Sequence, residues 1–72
     1  MVNVDKLRGK IVEKRMTVES IAIATDITAS TLYRRLNTGG GAFTIEEVTK
    51  IASVLALTAD EVNDIFFNQV VA

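Results

Sequence analysis

The groups best suited to chemistry in this 72-residue chain are hydroxyls, amides and guanidinium groups between Thr17 and Thr38. Such groups donate and accept hydrogen bonds, which suits recognition of another molecule. The chain contains neither His nor Cys, so histidine acid–base catalysis and zinc sites built on these residues are excluded. We therefore expect a binding protein that is not an enzyme and that uses no cofactor, metal or small-molecule substrate.

A helix at about 29–37 would gather many of these groups on one side. Leu32 and Leu36 are four residues apart and predict the buried face of this helix. The side chains that then point outward or lie on its flanks are Ser30, Thr31, Tyr33, Arg34 and Asn37.

The elements that must position these groups are marked by a recurring helix-start pattern. In Met16-Thr17…Ile21, the Thr side chain can accept a bond from an amide of the first turn. The flanking apolar pair has the spacing of a hydrophobic staple. The same pattern recurs at Asn3, Thr28, Thr44 and Thr58, and Glu47 and Glu61 complete two capping boxes.

Five helices follow from these starts, at about 4–15, 18–25, 29–37, 45–55 and 59–68. Their apolar residues recur every three or four positions, as in amphipathic helices. The predicted core residues are Val4, Leu7, Ile11, Val18, Ile21, Ala22, Leu32, Leu36, Val48, Ile51, Ala52, Leu55, Val62, Ile65 and Phe66. The sequence thus predicts one all-α domain over residues 1–72, with Gly39-Gly40-Gly41 as its flexible connection.

The net charge of -1 hides an asymmetry between the two halves. Residues 1–38 hold seven Lys or Arg against four Asp or Glu, whereas residues 39–72 hold one against five. This allows a modest basic face for nucleic acid. We interpret the stripe Lys6, Lys10 and Lys14 as a solvated face, and Gly9 as a point of close helix contact.

The order of these elements is similar to that of a known family. Met16–Ala22, the turn Thr25-Asp26-Ile27-Thr28 and Ala29–Asn37 resemble the lambda-repressor-like helix-turn-helix, here at about 17–37. Asp26 is one of the few residue types other than Gly that tolerate the positive φ of such a turn. The continuation from Thr44 to Phe67 resembles the same family. The closing Ile-Phe-Phe looks most like the short switch proteins of temperate bacteriophages, Cro and the modulators of repression.

This resemblance implies a compact five-helix domain whose third helix enters the major groove of operator DNA, with dimers reading two half-sites. Arg34 could then form a bidentate contact to guanine, and Tyr33 could reach a phosphate or a thymine methyl. Arg35 lies nearer the buried edge, which favours a backbone contact or a structural role. The predicted DNA-binding residues are Thr17, Ser30, Thr31, Tyr33, Arg34, Arg35, Asn37 and Thr38.

The chain departs from the family at two positions that often hold base-reading glutamines. Val18 and Ala29 stand there, and neither can make a bidentate bond to adenine. A second hypothesis is therefore an antirepressor that binds a cognate repressor protein directly, with little DNA binding of its own. Its predicted partner-binding residues are Val18, Ala29, Tyr33, Arg34, Phe67 and Val70.

Under both hypotheses the chain is a transcription regulator of a phage-type lysogeny/lysis switch, and Phe67 and Val70 could also form a homodimer patch. No apolar stretch approaches the ~20 residues that cross a bilayer, and the start lacks the pattern of a signal peptide. We expect no membrane contact and a cytoplasmic location in a bacterial host cell.

Overall fold

Five α-helices make up the described part of the chain, residues 2–37 and 43–67 of a computed structural model. They are α1 (Val4–Glu13), α2 (Val18–Thr25), α3 (Ala29–Asn37), α4 (Ile45–Val54) and α5 (Ala59–Phe66). These residues contain no β-strand, and the all-α prediction is confirmed for them. The predicted bounds of α2 and α3 are also confirmed. Thr38, the three consecutive glycines and Val70 lie outside the described residues.

Side-chain caps begin the helices as predicted. Asn3, Thr17, Thr44 and Thr58 are N-caps with extended backbone, and each accepts a hydrogen bond from an amide of the first turn. The capping boxes of α4 and α5 are confirmed, and α2 has a third one through Ser20 that was not predicted. At the start of α3, the amide of Thr31 donates to the Thr28 hydroxyl over a longer distance of 3.3 Å.

Three helices end where a residue other than glycine adopts positive φ. The residues are Arg15 (φ 58°), Asp26 (φ 60°) and Ala56 (φ 52°). After α1, the Met16 amide donates to the Ile11 carbonyl at 3.0 Å, and Leu57 donates to Ala52 in the same way after α4, at 2.9 Å. These are Schellman ends. They stop α1 and α4 before the predicted residues 15 and 55, and α5 also ends earlier, at Phe66 rather than 68.

The core consists of apolar side chains from all five helices: Leu7, Ile11, Ile21, Ala22, Leu32, Leu36, Val48, Ile51, Leu55, Ile65 and Phe66. All eleven were predicted from helical spacing. They leave a cavity of only about 10 Å³, lined in part by Leu7, Ile21 and Ile51. That volume is no more than a single water requires, so this core has no room for a ligand.

The packing of α1 against α5 involves two of the three lysines in the predicted stripe. Lys6 pairs with Asp64 and Lys10 pairs with Glu61, so both join the two helices; Lys6 and Lys14 are exposed, as predicted, and Lys10 is partly buried. Gly9 was expected to allow a close helix contact, but a Cβ built there meets no atom within 4 Å. The explanation offered for this glycine is therefore wrong.

None of the helices in residues 2–37 and 43–67 is long and apolar enough to cross a membrane.

Candidate interaction surface on α2 and α3

The outer side of α3 carries the polar groups that its spacing predicted. Leu32 and Leu36 are buried, whereas Ser30, Arg34 and Asn37 are exposed. Because α3 has its basic residues in the last turn, Arg34 also lies where the helix dipole favours a cation. The helix therefore presents a continuous row of side chains able to form hydrogen bonds to another molecule.

Asp26 sets the path from α2 into α3. Its left-handed backbone (φ 60°, ψ 28°) directly follows the last residue of α2, as expected for a turn that needs positive φ. α2 packs against both α3 and α4. The buried Thr25 hydroxyl, just before the turn, donates to the Ile21 carbonyl at 2.7 Å and so brings no unpaired hydroxyl into the core.

The Tyr33 hydroxyl joins α3 to α2 on the outside of the domain. It donates to Glu19 Oε2 at 2.6 Å, and the Tyr33 side chain is 39% exposed. This hydrogen bond raises the pKa of Tyr33 above its ordinary value and lowers that of Glu19. The bond favours the ionised carboxylate, so Glu19 places a negative charge beside α3 at neutral pH.

Three hydroxyl groups gather at the first turn of α3. Thr28 Oγ1 donates to Thr31 Oγ1 at 2.7 Å and lies 3.4 Å from Ser30 Oγ.

Thr17, also among the predicted DNA contacts, uses its hydroxyl oxygen to cap α2 by accepting from the Ser20 amide at 3.1 Å. The predicted polar contacts are thus present at the surface, but several already have intramolecular partners.

The groove between α3 and α4 is electrically balanced. Its lining contains three cations and three carboxylates: Arg34, Arg35, Lys50, Asp26, Glu46 and Glu47. Arg35 Nη2 lies 3.1 Å from Glu47 Oε2. Lys50 Nζ lies 3.3 Å from Glu46 Oε1. Binding to the DNA backbone depends on excess positive charge, and the residues that line this groove carry no such excess.

The apolar part of the surface includes a residue that was not among the predicted partner contacts. Val18 and Ala29, two of the predicted contacts, are partly buried and pack against the core. Ile23 is 85% exposed. It lies one helical turn after Glu19 on the exposed side of α2, a spacing that makes the two side chains neighbours.

Sequence reasoning missed Ile23 and Glu19. The signal that could have found Ile23 was that Ile21 and Ala22 already supply the buried face of α2, which leaves the next isoleucine outside the core. Phe67, predicted to belong to a partner patch, is 48% exposed at the end of α5. Val70 and Thr38 lie beyond the described residues.

Within the two described ranges, no group of three or more acidic side chains is arranged to hold a metal ion. The surface offers hydrogen-bonding groups, one exposed aliphatic side chain and a partly exposed aromatic one. That combination is typical of recognition of another macromolecule.

Comparison with known proteins places the chain in one family. A family model described as "Protein of unknown function (DUF739)" matches residues 2–69. No curated protein and no solved structure matches the chain.

Proposed function

Because the chain belongs to the DUF739 family, whose description gives no function, we propose one from its surface: a helix-turn-helix transcription regulator that binds a cognate repressor protein. In this proposal the chain is an antirepressor of a phage-type lysogeny/lysis switch and not an enzyme. It contacts the repressor through the outer side of α2 and α3 and changes or blocks the repressor's use of operator DNA.

The helix-turn-helix assignment is supported by the connection between α2 and α3. The two helices pack together, and the left-handed Asp26 begins the turn between them. α3 buries Leu32 and Leu36 and exposes Ser30, Tyr33 and Arg34, which is the arrangement that a recognition helix requires. The resemblance to lambda-repressor-like proteins rests on the same residues.

The observation that favours a protein partner is that Ile23 is exposed on α2 while the groove between α3 and α4 has equal numbers of positive and negative side chains. Ile23 and Tyr33 are both neighbours of Glu19, Ile23 through its helical spacing and Tyr33 through a hydrogen bond. Protein interfaces favour aromatic and apolar centres surrounded by polar groups. Phosphate binding needs uncompensated cations, whereas the lining of the α3–α4 groove has as many carboxylates as cations and pairs Arg35 and Lys50 with Glu47 and Glu46.

Operator DNA remains the second candidate, and a specific observation favours it. Arg34, Ser30 and Asn37 are exposed along one side of α3, at the spacing with which a recognition helix reaches base edges. In this version Arg34 reads a guanine or contacts a phosphate, and the protein acts as a Cro-like homodimer. The carboxylates of Glu19 and Glu46 would then face phosphate, which weakens the binding.

The test is a binding experiment with a helix-turn-helix repressor whose gene lies beside that of this chain, and with a fluorescent duplex from the DNA between the two genes. We expect co-elution of the chain with the repressor and release of the duplex from the repressor. Titration of the duplex with the chain alone, at about 50 and 200 mM salt, tests the second candidate through the salt dependence of phosphate binding. Direct salt-dependent binding without repressor co-elution would favour DNA, and the absence of both would refute the regulator proposal.

A further inference from the structure

One carboxylate, that of Glu47, contacts two different helices. Its Oε1 accepts a hydrogen bond from the Thr44 amide at 2.8 Å and so completes the capping box of α4. Its Oε2 lies 3.1 Å from Arg35 Nη2, in the last turn of α3. The side chains of Glu47 and Arg35 are each only 16% exposed, so water weakens this pair less than it would an exposed one.

The same guanidinium also rests on the aromatic part of the core. The Arg35 Cζ atom lies 5.8 Å from the centroid of the Phe43 ring, within the range of a cation–π contact. Phe43 meets Phe66 of α5 edge to face, with ring centroids 5.8 Å apart and planes at 84°. Arg35 therefore contacts Glu47 in the first turn of α4 and the ring of Phe43. Through Phe43 it is also connected to Phe66 of α5.

Arg35 shares the last turns of α3 with two outward side chains of the candidate surface, Arg34 and Asn37. An α-helix is stiff over one turn, so whatever fixes Arg35 also fixes the direction in which its neighbours point. We propose that Glu47 is a positioning residue: through Arg35, it sets the orientation of the C-terminal half of α3 and hence of the binding surface. The consequence for binding rests on the proposed function, whereas the consequence for α3 itself does not.

Glu61 provides a matched control inside the same chain. It occupies the same capping-box position in α5, where its Oε1 accepts from the Thr58 amide at 2.9 Å. It also pairs with a cation of another helix, but that cation is Lys10 of α1. Glu47→Gln and Glu61→Gln each keep an acceptor for the cap and each lose one interhelical ion pair. Only the first removes a contact to α3.

The experiment is amide hydrogen exchange measured by NMR on the whole chain and on its Glu47→Gln, Arg35→Met and Glu61→Gln variants. Exchange reports local opening separately from global unfolding. We expect amides of residues 33–37 to exchange about tenfold faster, relative to those of α4, in both Glu47→Gln and Arg35→Met. Glu61→Gln should leave this ratio unchanged. Arg35→Met removes the pair, together with the cation–π contact to Phe43, without touching the α4 cap, so an unchanged ratio in this variant still counts against the proposal if Glu47→Gln folds poorly.

A second measurement connects the positioning of α3 to binding. The affinity for the repressor, or for the DNA duplex, is measured per folded molecule, and Glu47→Gln should lower it about tenfold more than Glu61→Gln. An unchanged exchange ratio in a folded Glu47→Gln or in Arg35→Met, or an equal change in Glu61→Gln, would overturn the positioning role. A wild-type chain that binds neither repressor nor DNA would count against the proposed function alone. The exchange measurement does not depend on binding, so it would still test whether Glu47 orients α3.

Discussion

Tyr33 and Glu19 lie fourteen residues apart in the sequence, and the hydroxyl of the first donates to the carboxylate of the second at 2.6 Å. This bond links α2 and α3 outside the core, in the middle of the surface proposed to bind a partner. It favours the charged form of Glu19 and lowers the pKa of that carboxyl. The link therefore joins the two helices at the surface and keeps Glu19 ionised to a lower pH than an ordinary carboxyl.

Removing the Tyr33 hydroxyl should raise the pKa of Glu19 towards its ordinary value of 4.5. In Tyr33→Phe the ring stays in place, but the carboxylate loses the donor that contributes most to its lowered pKa. The measurement is an NMR titration of the Glu19 side chain in both proteins. Glu61, which has no contact with Tyr33 among the described bonds, serves as the internal reference. Identical Glu19 titrations in the two proteins would mean that the bond does not form in solution.

Replacing the exposed isoleucine of α2 should weaken partner binding without unfolding the chain. Ile23→Ser removes a side chain that is 85% exposed, so the free energy of unfolding should change by less than about 0.5 kcal/mol. Repressor affinity should fall by about 10- to 100-fold if Ile23 is an anchor of the interface. The measurement is calorimetric titration of the repressor with each variant.

The control for Ile23 is Val12→Ser, because Val12 is a similarly exposed aliphatic residue, at 74%, on α1 instead of α2. We expect it to bind the repressor as the wild type does. Equal losses of repressor affinity in the two variants would indicate that replacing any exposed aliphatic residue with serine weakens binding. Unchanged repressor affinity in Ile23→Ser would show that Ile23 does not belong to the proposed interface.

Ion pairing between Lys10 and Glu61 should make the fold sensitive to acid. The hydrogen bond from Lys10 is the main reason that the pKa of Glu61 falls from 4.5 to about 2. A carboxyl with a lowered pKa in the folded state stabilises the fold above its unfolded pKa, and this contribution is lost as the pH falls from about 4.5 to about 2. Urea unfolding between about pH 6 and pH 2 should show a shallower loss of stability for Glu61→Gln than for the wild type.

The reciprocal variant tests the cause of that acid sensitivity. Lys10→Met keeps the Glu61 carboxyl but removes its main hydrogen-bond donor, so it should flatten the same part of the pH profile. A Lys10→Met profile as steep as that of the wild type would show that the pair does not lower the pKa of Glu61.

Ala56→Gly should stabilise the chain by about 1 kcal/mol, because an L-residue in the left-handed region costs about 1–2 kcal/mol and glycine avoids most of this cost. Ala56 has φ 52° at the Schellman end of α4. The measurement is chemical unfolding at neutral pH. Ala52→Gly, inside the regular part of α4, should have the opposite sign and destabilise by about 1 kcal/mol.

Gly9→Ala should also stabilise, by about 1 kcal/mol, because glycine is a poor helix former and the added methyl meets no atom within 4 Å. Thermal unfolding followed by circular dichroism measures this change. A lower melting temperature for Gly9→Ala would indicate that Gly9 is needed for close packing of α1 against another helix.

Local rules in the sequence determined the helices of this protein. A cap and the backbone amide that donates to it are three residues apart, and the buried stripe of a helix repeats every three or four residues, so both can be read from neighbours along the chain. All eleven buried apolar residues and the two capping boxes of α4 and α5 were predicted in this way. The early ends of α1 and α4 were not, because Arg15 and Ala56 take a conformation that their residue types do not signal.

Only the tertiary structure decided how the surface is composed. Tyr33 meets Glu19, Arg35 meets Glu47, and Lys10 meets Glu61, and each pair joins residues more than ten positions apart. No sequence period relates such residues, since their distance depends on how the helices pack. For the same reason the sequence did not single out Ile23, which packing leaves 85% exposed, whereas Ala29, a predicted partner contact, is drawn partly into the core.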